Sequence, residues 1–346
     1  MKYYANLGVR ILRPSTKNLL LFSTILVLIT CSLQNVLDVT AQVNPGDYIV
    51  CEVHNNILSR VTPNGVRTVI YTFAFATDPT DVVIDSSGNF IVTERDVDIL
   101  SRITPDGVRT IIYTFPSGAG PLGATIDSSG NYIVTEFYGD RLSKITPGGR
   151  TVIYDYSISG PANPGITSVA VDSAGNYIVT ENSINILAKI TPSGVRTVIY
   201  DYSTSGPAGT RPSSVIIDSA GNYIVAEGGS VDILSKITPV GVRTIISSAF
   251  PGGATPADVA IDSYGNYIVT EHSTGVVSKI TAAGARTVIY TFTGFPTPVG
   301  IAIIPSYAPV GGLVAPINKI SVLTPYLALA GLILVSTVYI IKKPKD

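Results

Sequence analysis

Pro79-Thr80-Asp81-Val82-Val83-Ile84-Asp85-Ser86-Ser87-Gly88-Asn89-Phe90-Ile91-Val92-Thr93-Glu94 returns, with small changes, along most of the chain. Its closing segment occurs six times, as DYIVCE, NFIVTE, NYIVTE, NYIVTE, NYIVAE and NYIVTE. The segments end at Glu52, Glu94, Glu136, Glu181, Glu227 and Glu271, spaced 42, 42, 45, 46 and 44 residues apart, and these are all the glutamates of the chain. Within one copy, Pro79 to Asp85 is an apolar strand (A), and Ser86-Ser87-Gly88-Asn89 supplies the positive φ of a hairpin turn. Phe90 to Glu94 is strand B, Ile99 to Ile103 strand C and Val108 to Tyr113 strand D, with Thr104-Pro105-Asp106-Gly107 turning C into D. Four antiparallel strands at a period in the low forties predict an all-β fold of propeller blades.

The first strand B, Asp47 to Glu52, has no strand A before it. Its partner stands at the other end, where Pro298-Val299-Gly300-Ile301-Ala302-Ile303-Ile304 aligns with Pro256-Ala257-Asp258-Val259-Ala260-Ile261-Asp262. The expected ring therefore has six blades over residues 46–304, with blade one closed by strands from both ends, a clasp that removes the open edge of a linear array. Asp85, Asp127, Asp172, Asp218 and Asp262 recur where an A–B turn follows, and Ile304 replaces them where none does. They are expected to cap that turn.

Charged residues make up 14% of the chain and the net charge is −1, with no basic run outside the two ends, so nucleic acid is not an expected partner. Twelve basic residues belong to the repeat, in one set formed by Arg60, Arg102, Lys144, Lys189, Lys236 and Lys279 and another formed by Arg67, Arg109, Arg150, Arg196, Arg243 and Arg286. Lys2, Arg10, Arg13 and Lys17 precede an apolar stretch from Leu19 to Ile29 and the small-residue pattern Val39-Thr40-Ala41. Residues 1–41 thus read as a secretory signal, with an uncleaved anchor as the alternative. After a linker over 305–320, residues 321–341 read as a transmembrane helix, and Lys342, Lys343 and Lys345 in the tail 342–346 mark its cytoplasmic side. The expected placement is the cell membrane, with the propeller outside. Of the two cysteines, Cys31 and Cys51, the second lies inside a blade strand and is expected to be a small core residue.

The A–B and C–D turns lie on one face of such a ring and are nearly invariant. The B–C and D–A loops lie on the other face and vary, as in Val53-His54-Asn55-Asn56, Arg95-Asp96-Val97-Asp98 and His272-Ser273-Thr274-Gly275. Variation on one face of a rigid scaffold is where binding specificity usually resides. The glutamates end strand B on this face. Six carboxylates there could hold Ca²⁺ or Mg²⁺, with Glu52 and Glu271 foremost and Glu94, Glu136, Glu181 and Glu227 beside them. Alternatively each Glu ties the framework together, paired with the basic residue that strand C brings back eight residues later, or nine in blade five.

The run Tyr-Ile-Val-Thr-Glu followed by Ile-Leu-Ser-Lys-Ile-Thr-Pro-x-Gly resembles the repeat of the virginiamycin B lyase (streptogramin lyase) family, and of the wider NHL and SMP-30/gluconolactonase-like propellers. The resemblance spans Asp47 to Ile304. It implies a propeller and a metal-dependent chemistry in which histidine acts as acid or base beside a carboxylate-held Mg²⁺. Here the lyases' Trp-Phe before Thr-Glu is Ile-Val, no tryptophan is present, and six blades stand where those enzymes have seven. The only histidines are His54 and His272, each following a repeat glutamate in blades that ring closure makes neighbours. They are the candidate catalytic residues, against the alternative of ordinary loop residues. Gly311-Gly312-Leu313-Val314-Ala315-Pro316-Ile317-Asn318-Lys319 and the segment after it resemble C-terminal anchors of predicted archaeal surface proteins. The leading expectation is a surface module binding an extracellular ligand, glycan or protein. The second is a metal-dependent lyase or lactonase.

Overall fold

The computed structural model describes residues 43–305 apart from 295 and 296, so the expected signal and transmembrane segments lie outside the described residues. No helix among the described residues is long and apolar enough to cross a membrane. The described residues form six four-stranded antiparallel sheets. Blade two is representative, with strands A to D at Pro79–Ile84, Phe90–Glu94, Ile99–Ile103 and Arg109–Thr114. In blade one, strand A is the C-terminal Pro298–Ile303, paired antiparallel with Tyr48–Glu52. The clasp read from the sequence is therefore present. It is locked by Gly46 N–H donating to Ile304 O at 2.9 Å and Ile304 N–H donating to Asp47 O at 2.9 Å.

Burial falls from the inside of each blade outward. Strand B of blade two is buried at every position, whereas its strand D carries half-buried and exposed residues. A strand covered on both faces reads as a continuous apolar run, which is what Ile-Val between Tyr and Thr supplies. Both faces of strand B are covered because neighbouring blades pack against them. Six apolar clusters result, each shared by two adjacent blades. The one between blades one and two joins Ile49, Cys51, Leu58 and Phe73 to Val82, Phe90, Val92 and Ile103. Cys51 is fully buried there, and burial pushes its thiol well above the ordinary range. Just past strand D an aromatic residue turns inward and meets the strand's own Tyr edge to face, as in Tyr71–Phe73 at 4.9 Å and Tyr154–Tyr156 at 4.7 Å between centroids. Such pairs add about 0.5–1.5 kcal/mol beyond the area they bury. Two of these loops, after blades three and four, coil into single helical turns, α1 (Tyr156–Ser159) and α2 (Tyr202–Ser205), capped by Asp155 and Asp201.

The repeated turn aspartate caps its hairpin as expected. Asp85 accepts from Ser87 N–H at 2.8 Å and Asn89 N–H at 2.9 Å, and Gly88 takes φ +81°. In several blades it also meets the basic residue of strand C, as in Lys144–Asp127 at 2.7 Å. Burial pushes the Asp127 carboxyl up, but Lys144 and the turn's hydrogen bonds outweigh it and hold the group at about 2.

Candidate functional site

The six glutamates do not open into the channel. Glu52, Glu136, Glu181, Glu227 and Glu271 are completely inaccessible and Glu94 is 1% exposed. Each carboxylate is gripped on both oxygens by a guanidinium of strand D in its own blade. Arg67 Nε and Nη2 donate to Glu52 at 2.6 and 2.8 Å, and Arg286 repeats this on Glu271 at 2.7 and 2.7 Å. Arg109, Arg150, Arg196 and Arg243 grip Glu94, Glu136, Glu181 and Glu227 in the same fork. The partner is thus strand D's arginine, fourteen to sixteen residues on, and not the basic residue of strand C eight or nine residues on. Of the strand-C set, Arg102, Lys144 and Lys279 instead meet turn aspartates at the opposite end of the blade, and Arg60 meets Asp47.

The reason lies in the register. Arg67 pairs with Val61 at the C–D turn, while Glu52 pairs with Ile57 at the other end of strand C. Their side chains meet diagonally across the sheet face, over the small Ser59 between them. The aromatic residue of the preceding blade closes the arrangement. Phe292 lies under the Arg67 guanidinium at 5.7 Å, and Tyr156 of blade three donates its hydroxyl to Glu181 of blade four at 2.9 Å. A carboxylate with both oxygens in a guanidinium fork and no access to solvent does not fit a Ca²⁺ or Mg²⁺ ion, which needs several convergent oxygens. No group of three or more metal-ligating side chains converges among the described residues. These glutamates serve the framework in this structure.

The feature that breaks the six-fold repeat lies elsewhere. One equivalent position of the repeat in strand A of each blade borders the central channel, and in blade order it is held by Gly300, Asp81, Gly123, Ser168, Ser214 and Asp258. Strand A carries a register shift at this level in every blade, between Pro79 and Asp81 in blade two and between Pro256 and Asp258 in blade six. A bulge re-aims a side chain out of the ladder. The Thr of Ile-Val-Thr-Glu holds it in place: Thr93 Oγ1 accepts from Asp81 N–H at 3.0 Å and donates to Leu122 O of the next blade at 2.7 Å. Thr270 does the same between Asp258 N–H, 3.0 Å, and Val299 O, 2.6 Å.

Above this level, towards the variable loops, lies a cavity of 520 Å³, and below it a second of 260 Å³. Asp81, Ser168, Ser214 and Asp258 border both and mark the narrowing between them. Asp81 accepts from Val82 N–H at 2.7 Å and from Ala124 N–H at 2.8 Å. Asp258 accepts from Val259 and Ile301 N–H, 2.8 Å each, and from the Ser214 hydroxyl. Burial drives both carboxyls upward, and repulsion from Asp258 pushes Asp81 further. No cation offsets either one among the described residues.

Both histidines reach the same cavity, from the B–C loops of blades one and six. His54 is exposed and its Nδ1 lies 2.7 Å from the Thr297 hydroxyl. His272 is half-buried, and burial first, then the nearby His54, lowers its pKa. The expected convergence of blades one and six is thus present for the imidazoles but not for Glu52 and Glu271, which stay between the blades. Sequence reasoning missed Asp81 and Asp258. The available signal was a pair of aspartates at a phase otherwise held by Gly and Ser. It also missed Arg95, which lines the upper cavity and is held by Asp78 and Asp96.

No family model matches the chain, and no curated protein matches it. Solved structures do share its architecture. Virginiamycin B lyase from Staphylococcus aureus is 22% identical, with TM-score 0.57 over 77% of this chain and 91% of that one. A chain of the nidogen/laminin complex is 16% identical, with TM-score 0.63 over 75% of this chain and 98% of that one. A gluconolactonase-family protein is 12% identical, with TM-score 0.50 over 67% of this chain and 87% of that one. At these identities the likeness is one of fold: propellers of this build occur in both enzymes and binding proteins.

Proposed function

We propose that this protein is a membrane-anchored, outward-facing propeller that binds a small ligand in the cavity on its variable-loop face. The observation that carries the reading is that cavity of 520 Å³, whose lining departs from the repeat at every level: histidines in two blades only, aspartates at two of six channel positions, one arginine at the rim. Structural roles recur blade by blade, as the Glu–Arg forks do, whereas a ligand of ordinary shape demands unlike groups on different sides. Pockets of this size with a few convergent polar groups are where small molecules bind. Placement at the cell surface rests on the basic-apolar-small pattern of residues 1–41 and the uncharged segment before the terminal lysines.

The binding reading is tested on purified full-length chain by a thermal-shift screen against small polar organic molecules. Ala257→Phe, which fills the cavity from blade six, should abolish every genuine shift. Hits indifferent to that substitution would remove the cavity as the site. Protease treatment of intact cells tests the placement, since an outward-facing propeller is released and an internal one is protected.

A second reading, acid–base catalysis of the lyase or lactone-hydrolase type, draws on the two histidines that share the cavity with the carboxyl pair. A half-buried imidazole held neutral at physiological pH can accept a proton. His54→Ala and His272→Ala should then abolish turnover without lowering the unfolding midpoint. Undiminished turnover in the double variant would exclude it.

A further inference from the structure

The floor of the cavity holds two carboxyls that no cation among the described residues meets. Its lining holds Asp78, Asp81 and Asp258 against the single cation Arg95, and Arg95 is already committed to Asp78 and Asp96. Asp81 and Asp258 come from the blades on either side of blade one. The residue between them is Gly300, where an added Cβ would lie 2.5 Å from Asp81 Cα and 2.8 Å from Thr80 O. The missing side chain lets strand A of blade one pack directly against the Asp81 backbone, which brings the two flanking blades close together. Two neighbouring buried carboxyls resist ionisation, and a cation placed beside them would favour the ionised form.

Resting on the ligand-binding reading of this cavity, we propose that its ligand is an organic cation whose primary or secondary ammonium group docks between Asp81 and Asp258. The donor–acceptor count separates an ammonium from a metal ion. Backbone N–H groups take one position on each Asp81 oxygen and on Asp258 Oδ2, and Val259 N–H and the Ser214 hydroxyl together take two on Asp258 Oδ1, which leaves only a few acceptor positions on the pair. A primary ammonium has three N–H donors and is satisfied by that number, with Ser168 and Ser214 at the same level. Ca²⁺ requires six to eight oxygens. The wall agrees with a cationic guest, since His272 is held towards its neutral form and adds no opposing charge at neutral pH. Because burial raises both carboxyls, binding an ammonium displaces the proton they retain, so affinity should fall as the pH is lowered.

The test compares primary amines of increasing size (methylamine, ethanolamine, 2-phenylethylamine) with their hydroxyl counterparts (methanol, ethylene glycol, 2-phenylethanol). Full-length wild type, Asp81→Asn, Asp258→Asn and Ala257→Phe are assayed by thermal shift and calorimetric titration, with MgCl₂ and CaCl₂ as separate arms. The expected result is stabilisation by at least one amine and not by its alcohol, with apparent Kd raised at least about tenfold in either Asn variant. Heat measured in buffers of different ionisation enthalpy should also reveal proton release. Amine and alcohol binding equally, both lost in Ala257→Phe, would overturn the cationic ligand while leaving the cavity reading intact. Stabilisation by Mg²⁺ or Ca²⁺ that depends on both aspartates would overturn it in favour of a metal. No shift by any amine would overturn it as well. Circular dichroism of the Asn variants establishes that they remain folded.

Discussion

Replacing Glu181 by Gln alters one charge and almost no volume at the seam between blades three and four. In the native protein Glu181 accepts from Arg196 Nε at 2.6 Å, from Arg196 Nη2 and from the Tyr156 hydroxyl at 2.9 Å, with no solvent contact of its own. The Arg196 side chain is only 15% exposed, so water cannot replace what the amide withholds. Hydrogen bonds to charged groups contribute about 1.5–3 kcal/mol each, and breaking a buried pair from one side costs about 3–5 kcal/mol. At roughly 2 °C per kcal/mol for a domain of this size, the unfolding midpoint should fall by about 6–10 °C. Glu181→Gln combined with Arg196→Met removes both charges and should recover most of that loss, because the expense lies in the stranded charge more than in the absent bond. Arg141→Gln serves as comparison: its pair with Asp155 is 37% exposed on the arginine side and should be worth less than about 1 kcal/mol. Differential scanning calorimetry of the four proteins decides the matter. A Glu181→Gln midpoint within 2 °C of wild type, by the same rough conversion less than about 1 kcal/mol, would refute the account, as would a double variant no better than the single one.

Four further outcomes follow from the geometry. Thr93→Val strands Asp81 N–H and Leu122 O at the bulge and should cost about 1–3 kcal/mol in urea unfolding; a neutral result would mean that the bulge holds itself. Gly300→Ala drives a Cβ against the Asp81 backbone and should cost about 1–3 kcal/mol in the same assay. His54→Ala removes the neighbour that depresses His272, so the His272 resonance should titrate at higher pH by NMR; no movement would place the two imidazoles out of electrostatic reach. The pH dependence of Asp81→Asn has a definite sign. Both channel carboxyls are raised in the folded state, Asp81 well above its ordinary value and Asp258 to about 6, so the contribution of each to stability is fully present below 3.8 and is lost as pH rises through its own folded-state value. The Asn variant, which cannot ionise, should therefore gain stability over wild type at pH 8 and lose that advantage near pH 4.

Blade number, strand order and the closing clasp were all legible, because each follows from counting one repeat and noticing which copy lacks which strand. The turn aspartates were legible for the same reason: the aspartate is missing, and Ile304 stands in its place, in the one copy where no hairpin follows. The partner of the glutamates was not. Adjacency across strands B and C suggested the basic residue eight or nine positions on, but arginine is long enough to skip a strand. It lies diagonally over Ser59 and its equivalents, a path that pairing rules for neighbouring strands do not contain. Asp81 and Asp258 were hidden for the opposite reason. They sit inside apolar strands where an aspartate is easily taken for an edge residue, and only the bulge turns them into the channel. Position within a repeat shows which residues the framework uses; departures at one phase show where the framework has been given over to something else.

The clasp also sets an order in time. Val50 pairs with Ile301, so the innermost strand of the first blade is among the last parts of the propeller to be synthesised. Until then strands B to D of that blade exist as a three-stranded sheet whose inner side has no neighbour, and the Val50 strand presents free backbone groups to any other chain nearby. Long-range pairing of this kind is slow to form and exposes the growing chain to misassociation. Truncation just before Pro298 should therefore do more than remove one strand: it should leave a nascent ring that cannot finish and is prone to recruit a strand from its neighbour.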